Sequence, residues 1–344
     1  MTIKPHQPVR TIADIAHLAG VSKSTVSRAL SDSPLISQDT RTRIQAIARE
    51  NSFQIHQPAR SLSLRLSHTL AFVTYGGSKP KHFLSDPFQL EILGGISETL
   101  AAHHYDLLMA HIEAGDTDWP RRYLDAGRVD GFILLTCAQK EQCIRVLVEA
   151  QAPFIVWGVP LPNHAYCSVT GDNLLGGRLA TEHLVQMNRR RIAFLGGSRD
   201  DLETQGRYQG YEIALRAAGY TLDAALVAYG DYSSESGDET MRRLLKQAPD
   251  LDAVFVNSDL MAIAALGVLR ELGRRVPEEV AVVGYDDIPL AAHCGPPLTT
   301  IRQNIQEAGR LLAHNLVQYL ETGIITNVTM PVELVVRESS GAQV

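Results

Sequence analysis

A chain of 344 residues with 45% hydrophobic content is long enough for a large two-lobed core and a small satellite domain. No run of about 18 apolar residues occurs, and the opening MTIKPHQPVR lacks the apolar stretch of a secretory signal, so no membrane partner and a cytoplasmic location are expected. The net charge of −6 is unevenly spread: through Leu66 nine basic residues face four acidic ones, a net +5 that leaves −11 for the remainder, as suits a phosphate-binding head on an acidic body.

The first elements are helical. Thr11 and Asp14 resemble a capping box, and Ile12, Ile15, Ala16 and Ala19 form one apolar stripe that Gly20 ends. Ser22 can cap a second helix opening with Lys23, Ser24 and Thr25, whose apolar face is Val26, Ala29 and Leu30. Two short helices around a glycine turn make a helix-turn-helix, whose second helix meets base edges through its N-terminal residues. Lys23, Ser24 and Arg28 are the exposed candidates, with Arg28 placed to grip guanine in bidentate fashion. A third helix from Ser37 brings Ile44, Ile47 and Ala48 to the same core, and its Arg41 and Arg43 read as phosphate clamps.

The string TIADIAHLAGVSKSTVSRAL, then ISQDTRTRI, then ARSL at residues 59–62, resembles the lactose/galactose repressor family. That resemblance implies sequence-specific recognition of double-stranded operator DNA, and a hinge that becomes helical on DNA. Ala59 and Leu62 would then sit in the hinge, with Leu62 wedged into the minor groove, a step apolar side chains can take by unstacking bases. The sequence departs from the family at Phe53-Gln54-Ile55-His56.

From Thr69 short apolar runs alternate with amphipathic stretches: TLAFV, residues 92–103, YDLLMA, residues 118–126, DGFILL, then PFIVW, RIAFLGG, AVFV and VAVVG. Strands alternating with helices over about 270 residues predict two parallel, doubly wound lobes. Ligands of such sheets sit beyond the carboxyl ends of strands, which draws attention to Asp259 after AVFV and Asp286 in VAVVGYDD. Asp259 is equally readable as the N-cap of the helix LMAIAAL.

GDNLLGGRLATEHL, RYQGYEIAL, NSDLMA, VPEEVAVVGYDD and PPLTTIRQ are similar to the same family, whose effector domain shares the fold of periplasmic sugar-binding proteins. The expected fold is thus an all-α helix-turn-helix head plus an α/β two-lobed, periplasmic-binding-protein-like effector domain. Its divisions are a head over 1–55, a hinge and linker over 56–68, and a ligand-binding and dimerisation domain over 69–344, with lobe crossings near 168, 296 and 326. The resemblance implies a small-molecule effector, a sugar, contacted by Arg207, Tyr232 and Asp286, with Phe88 and Asp259 as further candidates. Carboxylates, a forked Arg donor and an aromatic platform suit the hydroxyls and C–H faces of a sugar. It also implies a homodimer on near-palindromic DNA; the end VVRESSGAQV carries no leucine heptad for a tetramer.

Other classes lack their motifs. No GxGxxG follows an expected strand, and neither a GxSxG elbow nor a GxxxxGK[ST] loop occurs, so an enzyme is not expected and no cofactor is implied. Cys137, Cys143, Cys167 and Cys294 show no CxxC spacing, and His103, His104 and His111 form no HExxH, so no metal is expected. A sugar-binding protein without a DNA role would explain the body but not the head. Whether a sugar acts as inducer or corepressor stays open, with inducer favoured.

Overall fold

The computed structural model describes residues 11–30, 33–51, 53, 66–76, 86–113, 115–135, 140–162 and 165–341. It divides into two units, residues 1–67 and 68–344. In the first unit α1 (Ile12–Ala19) opens on the expected capping box: Asp14 N donates to Thr11 Oγ1 and Thr11 N to Asp14 Oδ2. It closes on Gly20 at φ +62°, a left-handed conformation in which a Cβ is penalised. Helices α2 (Lys23–Leu30) and α3 (Gln38–Glu50) complete the head. Ile15, Ala16, Ala19, Val26, Ala29, Ile44 and Ala48 are its buried core, with Phe53 packed against them.

The second unit begins β1 (Thr69–Gly76), α4 (Pro87–Ala102), β2 (Asp106–Glu113), α5 (Trp119–Leu124), β3 (Gly131–Leu134), α6 (Lys140–Glu149), β4 (Phe154–Trp157) and β5 (Cys167–Gly171). It continues through α7 (Asn173–Gln186), β6 (Ile192–Gly196), α8 (Leu202–Ala217), β7 (Val227–Tyr229), α9 (Ser234–Gln247), β8 (Ala253–Val256), α10 (Asp259–Glu271) and β9 (Ala281–Asp286). The chain ends through β10 (Thr299–Gln303), α11 (Ile305–Thr322), β11 (Asn327–Met330) and β12 (Val332–Val335).

Two six-stranded sheets result, ordered β11-β5-β4-β3-β1-β2 and β12-β10-β9-β8-β6-β7. The orders correspond strand for strand, so each lobe is one doubly wound layer. Strands β3, β4, β5, β6, β8 and β9 are buried throughout, because helices cover both faces of a parallel sheet. All pairings are parallel except β10 with β12, so the second sheet carries one antiparallel edge.

The chain changes sheet after Gly171, after Gln303 and between Met330 and Val332. These passages fall a few residues beyond 168, 296 and 326. Each of those positions lies within about three residues of the start of a strand that still belongs to the lobe being left (Cys167, Thr299 and Asn327), and the crossing follows that strand's last residue. Among the described residues no helix is long and apolar enough to cross a membrane.

Candidate functional site

The head presents its reading helix with a pre-formed start. Thr25 N donates to Ser22 Oγ at 3.1 Å, and the hydroxyls of Ser24 and Thr25 both lie 2.8 Å from that oxygen. The serine thereby satisfies a first-turn N–H that the helix itself cannot. Lys23, Ser24 and Arg28 are exposed and Thr25 is half-buried. With Val26 and Ala29 buried against α1 and α3, the opposite face of α2 is left outward.

Arg41, expected to clamp phosphate, also makes contacts within the head. Its Nη2 donates to Ser33 O at 2.9 Å and Ile36 O at 3.3 Å, stapling the segment that joins α2 to α3. Arg43 likewise donates to Ala19 O at the end of α1. Hydrogen bonds from a charged donor contribute about 1.5–3 kcal/mol. Arg41→Ala is therefore expected to lower protection of the Val26 and Ile44 amides by roughly tenfold to a hundredfold in hydrogen exchange on the full chain. Unchanged protection with uniformly weaker DNA binding would restore the clamp. Ala59 and Leu62 lie outside the described residues.

In the second unit a polar frame occupies the carboxyl ends of β6, β8, β9 and β10. The helix pair α7 and α8 packs through glycine: a Cβ on Gly177 would lie 2.1 Å from Arg207 O, and one on Gly210 would lie 2.2 Å from Leu174 O. This close approach carries the buried Arg207 onto its partners. Its Nε donates to Asn173 Oδ1 at 2.8 Å, its Nη1 to Asn257 O, and its guanidinium lies 3.6 Å from the Tyr285 ring centroid. Asn257 Nδ2 donates to Thr204 Oγ1 at 3.1 Å, and that oxygen lies 2.7 Å from Tyr232 Oη. Tyr232 itself holds φ +69° with its ring against Gly197, where any Cβ would collide with it. Burial pushes the Tyr232 and Tyr285 phenols well above their ordinary range.

Asp286 ends β9 with φ +116°, and Asp287 follows at +58°. Such backbone costs of order 1–3 kcal/mol in a non-glycine residue and persists only where its surroundings enforce it. Here Arg302 Nε and Arg337 Nη2 each donate to Asp287 at 2.6 Å and pin the turn. The Asp286 carboxylate accepts from Gln303 Nε2 at 2.6 Å. Burial pushes its pKa up to about 7, against the opposing pull of the Arg207 guanidinium, and Asp86 adds like charge.

Asp259 corrects two readings at once. Its side chain has no exposed surface, and both oxygens are occupied, by Thr300 Oγ1 at 2.6 Å and Ile288 N at 2.9 Å. It is an internal strut tying α10 to β10 and to the turn after β9. The N-cap of α10 is Ser258, whose Oγ accepts from Met261 N. Burial and the neighbouring Asp286 raise the Asp259 pKa strongly.

The first lobe supplies a facing wall. Asp86 caps α4, its Oδ1 accepting from Phe88 N at 3.0 Å, and burial raises its pKa. The half-buried Phe88 lies 5.9 Å, ring to ring, from Trp157 at the end of β4. Just beyond, Val159 N donates across to Glu203 Oε1 of α8 at 2.7 Å, a direct link between the lobes. Arg207, Tyr232 and Asp286 thus belong to one polar frame in the second lobe, with Asp86 of the first lobe near enough to Asp286 to act on it as a like charge, while Phe88 packs beside Trp157 and Asp259 is fully buried. Trp157, Asn257 and Gln303 escaped the sequence reading although each ends or follows a strand, where the carboxyl-end rule points. Asp86 followed by Pro87 is a helix-start signal, an N-cap carboxylate before a first-turn proline.

Residues 11–54 match the model of bacterial regulatory proteins of the lacI family, and residues 181–340 match the periplasmic binding protein-like domain. The HTH-type transcriptional regulator CelR of Thermobifida fusca is 39% identical over 334 residues, 96% of this chain and 98% of that protein. Among solved structures, a transcriptional regulator CelR-cellobiose complex shares 37% identity with a TM-score of 0.74, covering 96% of this chain and 99% of that one. The lac repressor dimer bound to operator and the anti-inducer ONPF shares 27% identity with a TM-score of 0.83, covering 98% of this chain and all of that one. Its helix-turn-helix head, its two-lobed domain and this likeness along nearly its whole length place the chain in the lacI family of bacterial transcriptional regulators.

Proposed function

We propose that this protein is a sequence-specific repressor of carbohydrate-utilisation genes, released from its operator by a sugar inducer. It acts in the cytoplasm, as a homodimer, and has no catalytic role. The observation that carries this reading is one chain holding both an exposed reading helix and, in its two-lobed domain, a polar frame at strand ends that contains Arg207, Asp286 and Tyr232. The frame offers acceptors, a forked donor and aromatic faces, the chemistry a sugar needs. A sugar that prefers one lobe arrangement shifts the population of that arrangement. Residues 56–68 act as the hinge, with Ala59 in it and Leu62 as its wedge.

Retardation of the DNA upstream of the protein's own gene, and loss of the retarded band on adding cellobiose or another neutral sugar, is the expected result. A sugar that strengthens retardation would make it a corepressor, and failure to retard any DNA would reject the reading. Within that assay Arg28→Ala is expected to cost about 1–3 kcal/mol, roughly 5–150-fold, on operator while leaving scrambled DNA unchanged. Equal losses on both sequences would show a phosphate contact instead.

A further inference from the structure

We propose that residues 337–341, the segment after β12, act as a strap that sets the Asp286–Asp287 turn, and that Arg337 thereby positions the effector-site carboxylate without touching effector itself. The proposal rests on Asp286 as an effector contact and adds what holds that residue in place. The strap is anchored through Ser339 and Ser340, neither of which has exposed surface. Ser339 Oγ accepts from Thr299 N at 2.8 Å and donates to Val282 O at 2.6 Å, which fastens it near the starts of β10 and β9, and Ser339 N donates to Pro297 O at 3.0 Å. The Arg337 backbone is joined to Thr299 in both directions: its N donates to Thr299 Oγ1 at 2.8 Å, and that hydroxyl donates to Arg337 O at 2.9 Å. A hydroxyl has one proton, so Thr299 Oγ1 must accept from Ser340 Oγ, 2.8 Å away, and Ser340 in turn must accept from Nε2–H of the buried His183 of α7, also 2.8 Å away. The strap is thus keyed to β9, β10 and α7 at once.

What the anchored strap delivers is one guanidinium. Arg337 Nη1 donates to Leu298 O at 2.7 Å and Nη2 to Asp287 Oδ1 at 2.6 Å, so its fork bridges the chain entering β10 and the turn leaving β9. The Arg337 side chain is 17% exposed and that of Asp287 8%, so water and salt screen the pair little. Arg302, a second donor to Asp287, is 45% exposed and is shared with Glu333, an arrangement that solvent weakens. Asp286 and Asp287 hold φ +116° and +58°, conformations that such residues keep only where their surroundings impose them. Releasing Arg337 lets Asp287 relax, which rotates the peptide joining it to Asp286 and takes the Asp286 carboxylate from its place beside Gln303.

The test uses the full chain with Arg337→Met, which keeps the stem and removes the fork, and Arg337→Lys, which keeps the charge without the planar fork. In hydrogen exchange on the sugar-free protein, the Ile288 amide, which donates to Asp259 Oδ2 just past the turn, should lose about tenfold of its protection in Arg337→Met, while the amides of β8 keep theirs. Cellobiose affinity, by titration calorimetry, should fall by about tenfold or more, and Arg337→Lys should recover part of it. In an Asp286→Asn background the added loss from Arg337→Met should vanish, because residues that act through one contact are not additive. Unchanged protection at Ile288, or an equal loss across β8, overturns the proposal, the latter by making Arg337 a general stabiliser. A loosened turn with cellobiose affinity unchanged, or losses that simply add to that of Asp286→Asn, overturns the positioning role and leaves the sugar reading standing. If the wild-type chain binds none of cellobiose, glucose and ribose, the sugar reading falls, and the exchange result alone decides whether the strap sets the turn.

Discussion

Arg207→Ala should destabilise the two-lobed domain by about 3–5 kcal/mol and abolish the response to effector. The size follows from what the guanidinium holds. It is 5% exposed, bonded to Asn173 and Asn257, stacked on Tyr285, and it is the charge that offsets Asp286. Removing one partner of a buried charged pair leaves the other uncompensated, which costs that much where a matched hydrophobic replacement of both would not. A cavity beneath Tyr285 adds to the loss. Thermal unfolding should shift down by on the order of 10 °C, with the head's DNA contacts untouched in protein that remains folded at low temperature. A shift under about 2 °C, with sugar still releasing operator, would show that the network is dispensable.

Asp286→Ala is expected to weaken inducer binding by about two orders of magnitude or more while leaving operator binding intact. A carboxylate hydrogen bond is worth about 1.5–3 kcal/mol, and two are lost. Proton linkage distinguishes this from a structural effect. Burial raises the folded pKa of Asp286 to about 7. Between pH about 4 and 7 the unfolded chain has shed this proton and the folded chain retains it, so the group lowers stability as pH rises through that window. A sugar hydroxyl that donates to Asp286 favours the ionised form. Affinity should then rise by about tenfold from pH 6 to 8, with proton release seen as a dependence of the calorimetric heat on buffer. Asp286→Asn should flatten that profile. Normal sugar binding with loss of operator DNA in Asp286→Ala would move the pocket elsewhere.

The head was legible because its information is local. The Thr11/Asp14 box, the Gly20 turn and the Ser22 cap each act within a few residues, and the apolar spacing of Ile15, Val26 and Ile44 fixes one core for three short helices. The backbone contacts of Arg41 were not legible for the opposite reason. On sequence spacing it is a solvent-facing cation, and only the path from α2 to α3 brings the carbonyls of Ser33 and Ile36 within its reach.

By itself the sequence determined the class of the fold, two doubly wound lobes behind a helix-turn-helix, while Arg207, Tyr232 and Asp286 entered as effector contacts only through the family resemblance. Hydrophobic periodicity is a property of neighbours along the chain, and strand ends can be read from it. Tertiary structure alone decided which partners each carboxylate meets. Asp259 and Asp286 both belong to strand ends of the same sheet. The first is consumed by Thr300 and Ile288, which are distant in sequence. The second, at a strained backbone that Arg302 and Arg337 pin through Asp287, accepts from Gln303 at the end of β10. The antiparallel β12 and the unpartnered oxygens of Asn257 and Gln303 have the same origin. Each depends on which groups meet across the sheet, and a buried polar atom's fate is set by those partners rather than by its neighbours in the chain.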